Sequence, residues 1–354
     1  MATTILSNKN LPELQPATLL NALYRPEEAP LRFQAGTREE ALEWQERTRL
    51  ALRETLGFHH LPAAPLEPRV VETTDRDDHT REKILLRTSP WSVMPFYLLK
   101  PKGHSGPLPV VIAFHGHGYG VRDIVGLWED GEERYTPEGY HKDFGIALCQ
   151  AGFAVAAPEI SCFGERTSRF DHLGIDQGAP STCNHTAALA SHLGGSAAGL
   201  RVMDALRLAD YLETRTDIDT TRLGAMGISG GGMHTLFSTC VDTRIRACVI
   251  SGYFCPWKES IFNMNHCTCN FVPGLHRFGE IHDLAGLLVP RPLLVEAGTR
   301  DPIFPLAGVK DGVERTKRIY RIFHADDQVE TDIFEGRHSI SGQRAYSFLR
   351  EKLA

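Results

Sequence analysis

At 354 residues, with 42% hydrophobic and 23% charged side chains, the chain has the make-up of a soluble globular protein with room for a sizeable core. A formal net charge of −6, without a lysine- or arginine-rich block of the kind that binds nucleic acid, argues against a nucleic-acid surface, and no apolar run approaches the ~18–20 residues of a membrane helix. Residues 1–7 lack the basic region and apolar core of a signal peptide, so the cytoplasm is the expected compartment.

Residues 1–68 read as a helical extension. Thr37 and Glu40 have capping-box spacing, and Ala41, Trp44, Ala51, Leu52 and Leu56 then form a helical stripe. Pro62, Pro65 and Pro68 close the region as a linker. Residues 69–354 form the second unit, and its first part, 69–100, predicts two or three antiparallel strands. After Pro109, the apolar run Val110, Val111, Ile112, Ala113, Phe114 reads as a buried strand, followed by His115-Gly116-His117-Gly118. His115 and His117 have the alternate spacing of a metal-ligand pair, but no H-E-x-x-H helix or second histidine pair accompanies them. The glycines at 116, 118 and 120 do not match the G-x-G-x-x-G of a dinucleotide site.

Farther on, Ala198, Val202, Ala205, Leu206, Ala209 and Leu212 mark a long helix. A short apolar strand then enters Gly227-Ile228-Ser229-Gly230-Gly231, and Met233, Leu236, Phe237, Cys240 and Val241 place an amphipathic helix directly after it. A strand turning sharply into a helix at a serine raises that hydroxyl above the sheet, where the helix N-terminus favours negative charge. Alternating helical and strand-like runs predict a mostly parallel sheet with helices on both faces.

A nucleophilic serine needs a histidine base and a carboxylate that orients it. Asp301 lies just beyond the buried strand Pro292 to Ala297, where open α/β sheets carry working residues. His338 lies on a loop between a short strand, 332–335, and a final helix bearing Ala345, Phe348, Leu349 and Leu353. His324, Asp326 and Asp327 are rivals in composition, but they follow an arginine-rich helix in a polar, turn-like run. The backbone N–H groups of Gly230 and His117 are the expected oxyanion donors.

Taken together, HGHG after an early strand, GISGGG, EAGTRDPIFP and EGRH resemble the α/β-hydrolase superfamily, over roughly residues 70–354. The resemblance is greatest to its dienelactone-hydrolase-like and acetyl-xylan-esterase-like branch, related also to prolyl oligopeptidases. It implies an α/β-hydrolase fold with Ser229 as nucleophile, Asp301 as acid and His338 as base. It further implies that residues 158–166 form a structural brace near the site. Dienelactone hydrolases carry a cysteine nucleophile, so their substrate does not transfer to a serine here.

Two insertions, 119–141 and 252–282, are expected to wall the substrate pocket, with Trp128, Trp257 and Met264 as contacts. Of the eight cysteines, Cys149, Cys240 and Cys248 fall within predicted elements and read as free buried thiols. His266, Cys267 and Cys269 carry thiol and imidazole ligands, yet the sequence offers no fourth, so no metal is expected there. The expectation is an esterase for a small-molecule ester, carrying short acyl groups such as acetyl by the resemblance, working without a cofactor. A peptidase on the same scaffold and a silent binding protein remain the alternatives, and a homo-oligomer stays open.

Overall fold

The computed structural model describes residues 12–169 and 182–354. The residues at 1–7 that carry the signal-peptide reading lie outside that range. Nine strands, β1 (Arg69–Asp75), β2 (His79–Ser89), β3 (Ser92–Pro101), β4 (Leu108–Phe114), β5 (Ala154–Pro158), β6 (Ile218–Ile228), β7 (Ala247–Ser251), β8 (Leu293–Gly298) and β9 (Val329–Phe334), join in one sheet. Their order is β1-β2-β3-β5-β4-β6-β7-β8-β9. The first three strands pair antiparallel and β3 meets β5 antiparallel, so residues 69–100 fold as expected. All remaining pairs are parallel.

The helices are α1 (Pro16–Leu23), α2 (Arg38–Leu56), α3 (Phe144–Gln150), α4 (Thr182–His192), α5 (Ala197–Glu213), α6 (Gly230–Val241), α7 (Ile281–Ala285), α8 (Leu306–Arg321) and α9 (Ala345–Lys352). Side chains alternate across each strand, and each face of the sheet builds its own core. Val110, Ile112, Leu223, Ala225, Cys248 and Ile250 pack with α2, α5, α6 and α8. Val111, Ala113, Met226, Ile228 and Val249 pack with α3 and α9 on the other side. Among the described residues, no helix is long and apolar enough to cross a membrane.

The extension is part of this packing. Thr37 and Glu40 form the capping box that starts α2. Trp44 donates its indole N–H to the Leu31 carbonyl at 3.0 Å, while Gln45 reaches the carbonyls of Gly286 and Val289. The prediction for α6 needs one amendment. Its apolar stripe is where the sequence put it, but every residue of the helix is buried, because α2 and α5 cover the side away from the sheet. Two of its threonines bond back within the helix itself. Thr235 and Thr239 donate to the carbonyls of Gly231 and Thr235, four residues back.

Candidate active site

The elbow is built from close backbone approach. A Cβ at Gly227 would run into the Gly231 carbonyl, and one at Gly231 would strike the Phe114 carbonyl on β4. Ser229 itself takes φ 58° and ψ −122°, a conformation that L-residues rarely adopt and that clusters at functional sites. It is held there by its own N–H, which donates to the Ser251 carbonyl at the end of β7 at 3.0 Å. The residue is 6% exposed and stands at the N-cap of α6. Gly230 opens that helix, where the first N–H groups have no intrahelical acceptor.

Asp301 and His338 meet. His338 Nδ1 lies 2.7 Å from Asp301 Oδ2, and the other carboxylate oxygen accepts the N–H groups of Ile303 and Phe304 at 2.8 and 3.2 Å. Facing a carboxylate oxygen, Nδ1 is the donating nitrogen, which leaves Nε2 as the accepting nitrogen of the ring. That Nε2 is buried and, among the described residues, has no hydrogen-bond partner. Phe304 stacks on the ring at 5.7 Å and Tyr140 lies on it at 5.4 Å between centroids. Gly252, at φ +49°, passes directly beneath, and a Cβ there would sit 2.9 Å from His338 Cε1 and 3.6 Å from Asp301 Oδ2. Since Ser229 hydrogen-bonds to the residue before Gly252, the elbow and the His–Asp pair share one backbone segment.

The loop after β4 is fixed by groups that spacing did not single out. Gly116 donates its N–H to His141 Nε2 at 2.8 Å, and His141 Nδ1 lies 2.8 Å from Asp123 Oδ2. Burial holds the His141 pKa below its ordinary value, against the pull of Asp123, which suits a ring that must accept at Nε2. With the Gly116 N–H occupied, the His117 N–H is the next candidate on this loop. Tyr140 donates its hydroxyl to the His117 carbonyl, and burial pushes that phenol above its usual range, so it remains a donor. Glu159 takes the bracing place expected of residues 158–166. It accepts the Val121 N–H at 2.9 Å and lies 3.3 Å from His115 Nε2, which accepts from the Ile160 N–H.

Behind β7 and β8, Ser251 donates to buried Glu296 at 2.5 Å, and Glu296 also accepts the Gly342 N–H at 2.8 Å. Burial raises the pKa of this carboxyl while both hydrogen bonds oppose the rise. Glu296 thereby ties the loop that carries His338 to the strand next to the elbow. Tyr140, His141, Asp123 and Glu296 were invisible to motif reading. The available signal was weak: a histidine and an aspartate inside an insertion, and a glutamate in an otherwise apolar strand.

The expected substrate contacts are not brought together. Trp257 is buried in the main core, with its backbone N–H on Glu280. Trp128 is 43% exposed with its ring over Arg134, and Met264 is 37% exposed. None of the three has a hydrogen bond or ring contact with Ser229, Asp301 or His338. Instead, an open cleft of about 380 Å³ borders the loop after β4 at Gly118, lined also by Arg122 and Glu129 from the first insertion and by Phe163 and Glu165. The rival residues fall elsewhere: His324 ends the exposed turn after α8, and Asp326 and Asp327 begin a 3₁₀ turn beside it.

Residues 20–347 match the model of the abhydrolase family. The chain belongs to that family. This abhydrolase is 28% identical over 255 residues to YtaP of Bacillus subtilis (strain 168), a provisionally assigned hydrolase, across 71% of this chain and 79% of the relative. Among solved structures it is similar to a provisionally assigned acetyl xylan esterase from Bacteroides fragilis, with a TM-score of 0.73 at 19% identity, covering 91% of this chain and 82% of the other. A glucuronoyl esterase from Solibacter usitatus superposes with a TM-score of 0.65 at 18% identity, covering 92% and 97%. Both structural likenesses support the α/β-hydrolase fold of this abhydrolase.

Proposed function

We propose that this abhydrolase is a serine carboxylic-ester hydrolase. The observation that carries the reading is the His338–Asp301 pair, packed against the Ser251–Gly252 segment that accepts the Ser229 N–H in its strained turn. His338 takes the Ser229 proton as the hydroxyl attacks the ester carbonyl. Asp301 keeps the imidazole in the accepting tautomer and stabilises the imidazolium. The N–H groups of Gly230 and His117 hold the oxyanion of the tetrahedral intermediate. Collapse returns the proton from His338 to the leaving alkoxide and forms an acyl-serine. Water, deprotonated by His338, attacks that acyl group, and the acid leaves as Ser229 regains its proton.

The acyl group we infer is short, such as acetyl, on a carbohydrate or another small polar alcohol. The names of the structural neighbours and the charged rim of the cleft beside Gly118 both support that substrate class. Ser229→Ala tests the reading. Hydrolysis of p-nitrophenyl acetate should fall to the uncatalysed rate in a folded variant, and an unchanged rate would move the chemistry to another residue. Aminoacyl amides assayed alongside distinguish a peptidase, which would cleave them in preference to acetyl esters.

A further inference from the structure

Three segments far apart in sequence bring three thiols and one imidazole together. His117 comes from the loop after β4, Cys183 from the first turn of α4, and Cys267 and Cys269 from the insertion after β7. One ligand atom from each of these residues lies within 4.8 Å of all the others. Cys267 Sγ and Cys269 Sγ are 3.2 Å apart, and His117 Nε2 is 3.5 Å from Cys269 Sγ. Zinc–sulfur bonds of about 2.3 Å and zinc–nitrogen bonds of about 2.0–2.1 Å impose tetrahedral edges of about 3.8 Å between sulfurs and about 3.5 Å from sulfur to nitrogen. The cluster brackets those lengths.

Charge gives a second, independent reason. Arg201 is 3% exposed, and its guanidinium contacts Ser161, His234 Nε2 and Cys183 Sγ, the last at 3.7 Å. Among the described residues no carboxylate pairs with it. A buried guanidinium without an anion is costly. Three thiolates supply the missing negative charge, and with a divalent ion and Arg201 the group carries no net charge. Asn270 adds an outer-shell donor, its side-chain N–H lying 3.5 Å from Cys269 Sγ.

We propose that His117, Cys183, Cys267 and Cys269 bind a zinc ion. Binding transfers three thiol protons to solvent and leaves Nε2 of neutral His117 as the fourth donor. Four protein ligands close the coordination sphere, so the ion is structural and does not take part in ester cleavage. What it does is clasp the 252–282 insertion and α4 to the loop after β4, close to Gly230, whose Cα would place a Cβ 3.1 Å from His117 Nδ1. His266, which the sequence grouped with the two cysteines, is displaced from this role by His117. Its ring lies 6.4 Å from that of His117.

The test needs no ester substrate and stands apart from the role of Ser229. Full-length protein purified under reducing conditions without chelator should carry one zinc ion per chain by elemental analysis. Replacing zinc with cobalt should give a thiolate-to-cobalt charge-transfer band and the intense visible bands of tetrahedral coordination. Stripping the ion should lower Tm, and zinc should restore it. Cys267→Ser and Cys269→Ser should lose the metal, whereas Cys149→Ser, in α3, should retain it. Metal-free reduced protein that takes up no cobalt would overturn the proposal, as would a Cys267–Cys269 disulfide in the isolated protein or full zinc occupancy in both serine variants. The wild-type measurements decide the matter even if a variant fails to fold.

Discussion

Replacing Asp301 by Asn tests the tautomer argument with almost no change in shape. One carboxylate oxygen accepts two backbone N–H groups, from Ile303 and Phe304, and the other faces His338 Nδ1. An asparagine must keep its oxygen on the two N–H groups, which turns its NH₂ toward the imidazole. That NH₂ can only donate, so the ring shifts its proton to Nε2, the atom that has to receive the Ser229 proton. Restoring the useful tautomer means flipping the amide and leaving two backbone N–H groups against a donor. At about 1–3 kcal/mol for each unsatisfied group, the penalty is about 2–6 kcal/mol. Converted at about 1.36 kcal/mol per decade, kcat should fall by about 30-fold to about 3 × 10⁴-fold. The upper figure meets the ~10⁴-fold loss known for this exchange in another serine hydrolase. Initial rates on p-nitrophenyl acetate, with the fold checked by circular dichroism, give the answer. A folded variant within tenfold of the wild-type kcat would refute the reasoning, and KM should change little.

Two further perturbations probe the supporting structure. Gly252→Ala places a methyl 2.9 Å from His338 Cε1 at a residue with positive φ, so it should cost about 1–2 kcal/mol of stability and, by shifting the ring, about 100-fold in kcat/KM. Wild-type activity would show that the ring does not rest on this segment. His141→Gln addresses pH. Burial depresses the folded-state pKa of His141, so below about 6.5 the unfolded chain binds a proton that the native state refuses, and stability falls as pH falls. The stability advantage of wild type over His141→Gln, measured by urea unfolding, should therefore shrink between pH 7 and pH 5.5, with a limiting slope of about 1.4 kcal/mol per pH unit. A constant or widening difference would mean that His141 is protonated in the native protein.

What the sequence disclosed is what local chain geometry encodes. The elbow, the loop after β8 and the loop before α9 each combine a strand-like run, a glycine or proline, and one reactive side chain, so Ser229, Asp301 and His338 could be nominated in order along the chain. The antiparallel start of the sheet and the capping box of α2 were legible for the same reason. Contacts that depend on remote segments were not. His117 was expected as an amide donor from its loop, but the thiols that meet its imidazole lie on α4 and in the second insertion, with no repeating spacing to join them. Tyr140 and His141 act on the loop after β4 from within the first insertion. Trp257 was placed on a pocket wall because aromatic residues in long loops often line pockets, yet Glu280 and the surrounding apolar residues hold it in the core. The full burial of α6 likewise depends on α2, which lies about 180 residues earlier and cannot be seen from the helix's own pattern.

Acylation at Ser229 is the central claim. Incubating the protein with a fluorophosphonate and mapping the adduct by peptide mass spectrometry measures this directly. Stoichiometric modification of Ser229, greatly slowed in His338→Ala, is the predicted result. An unmodified protein, or an adduct on any other residue, would contradict it.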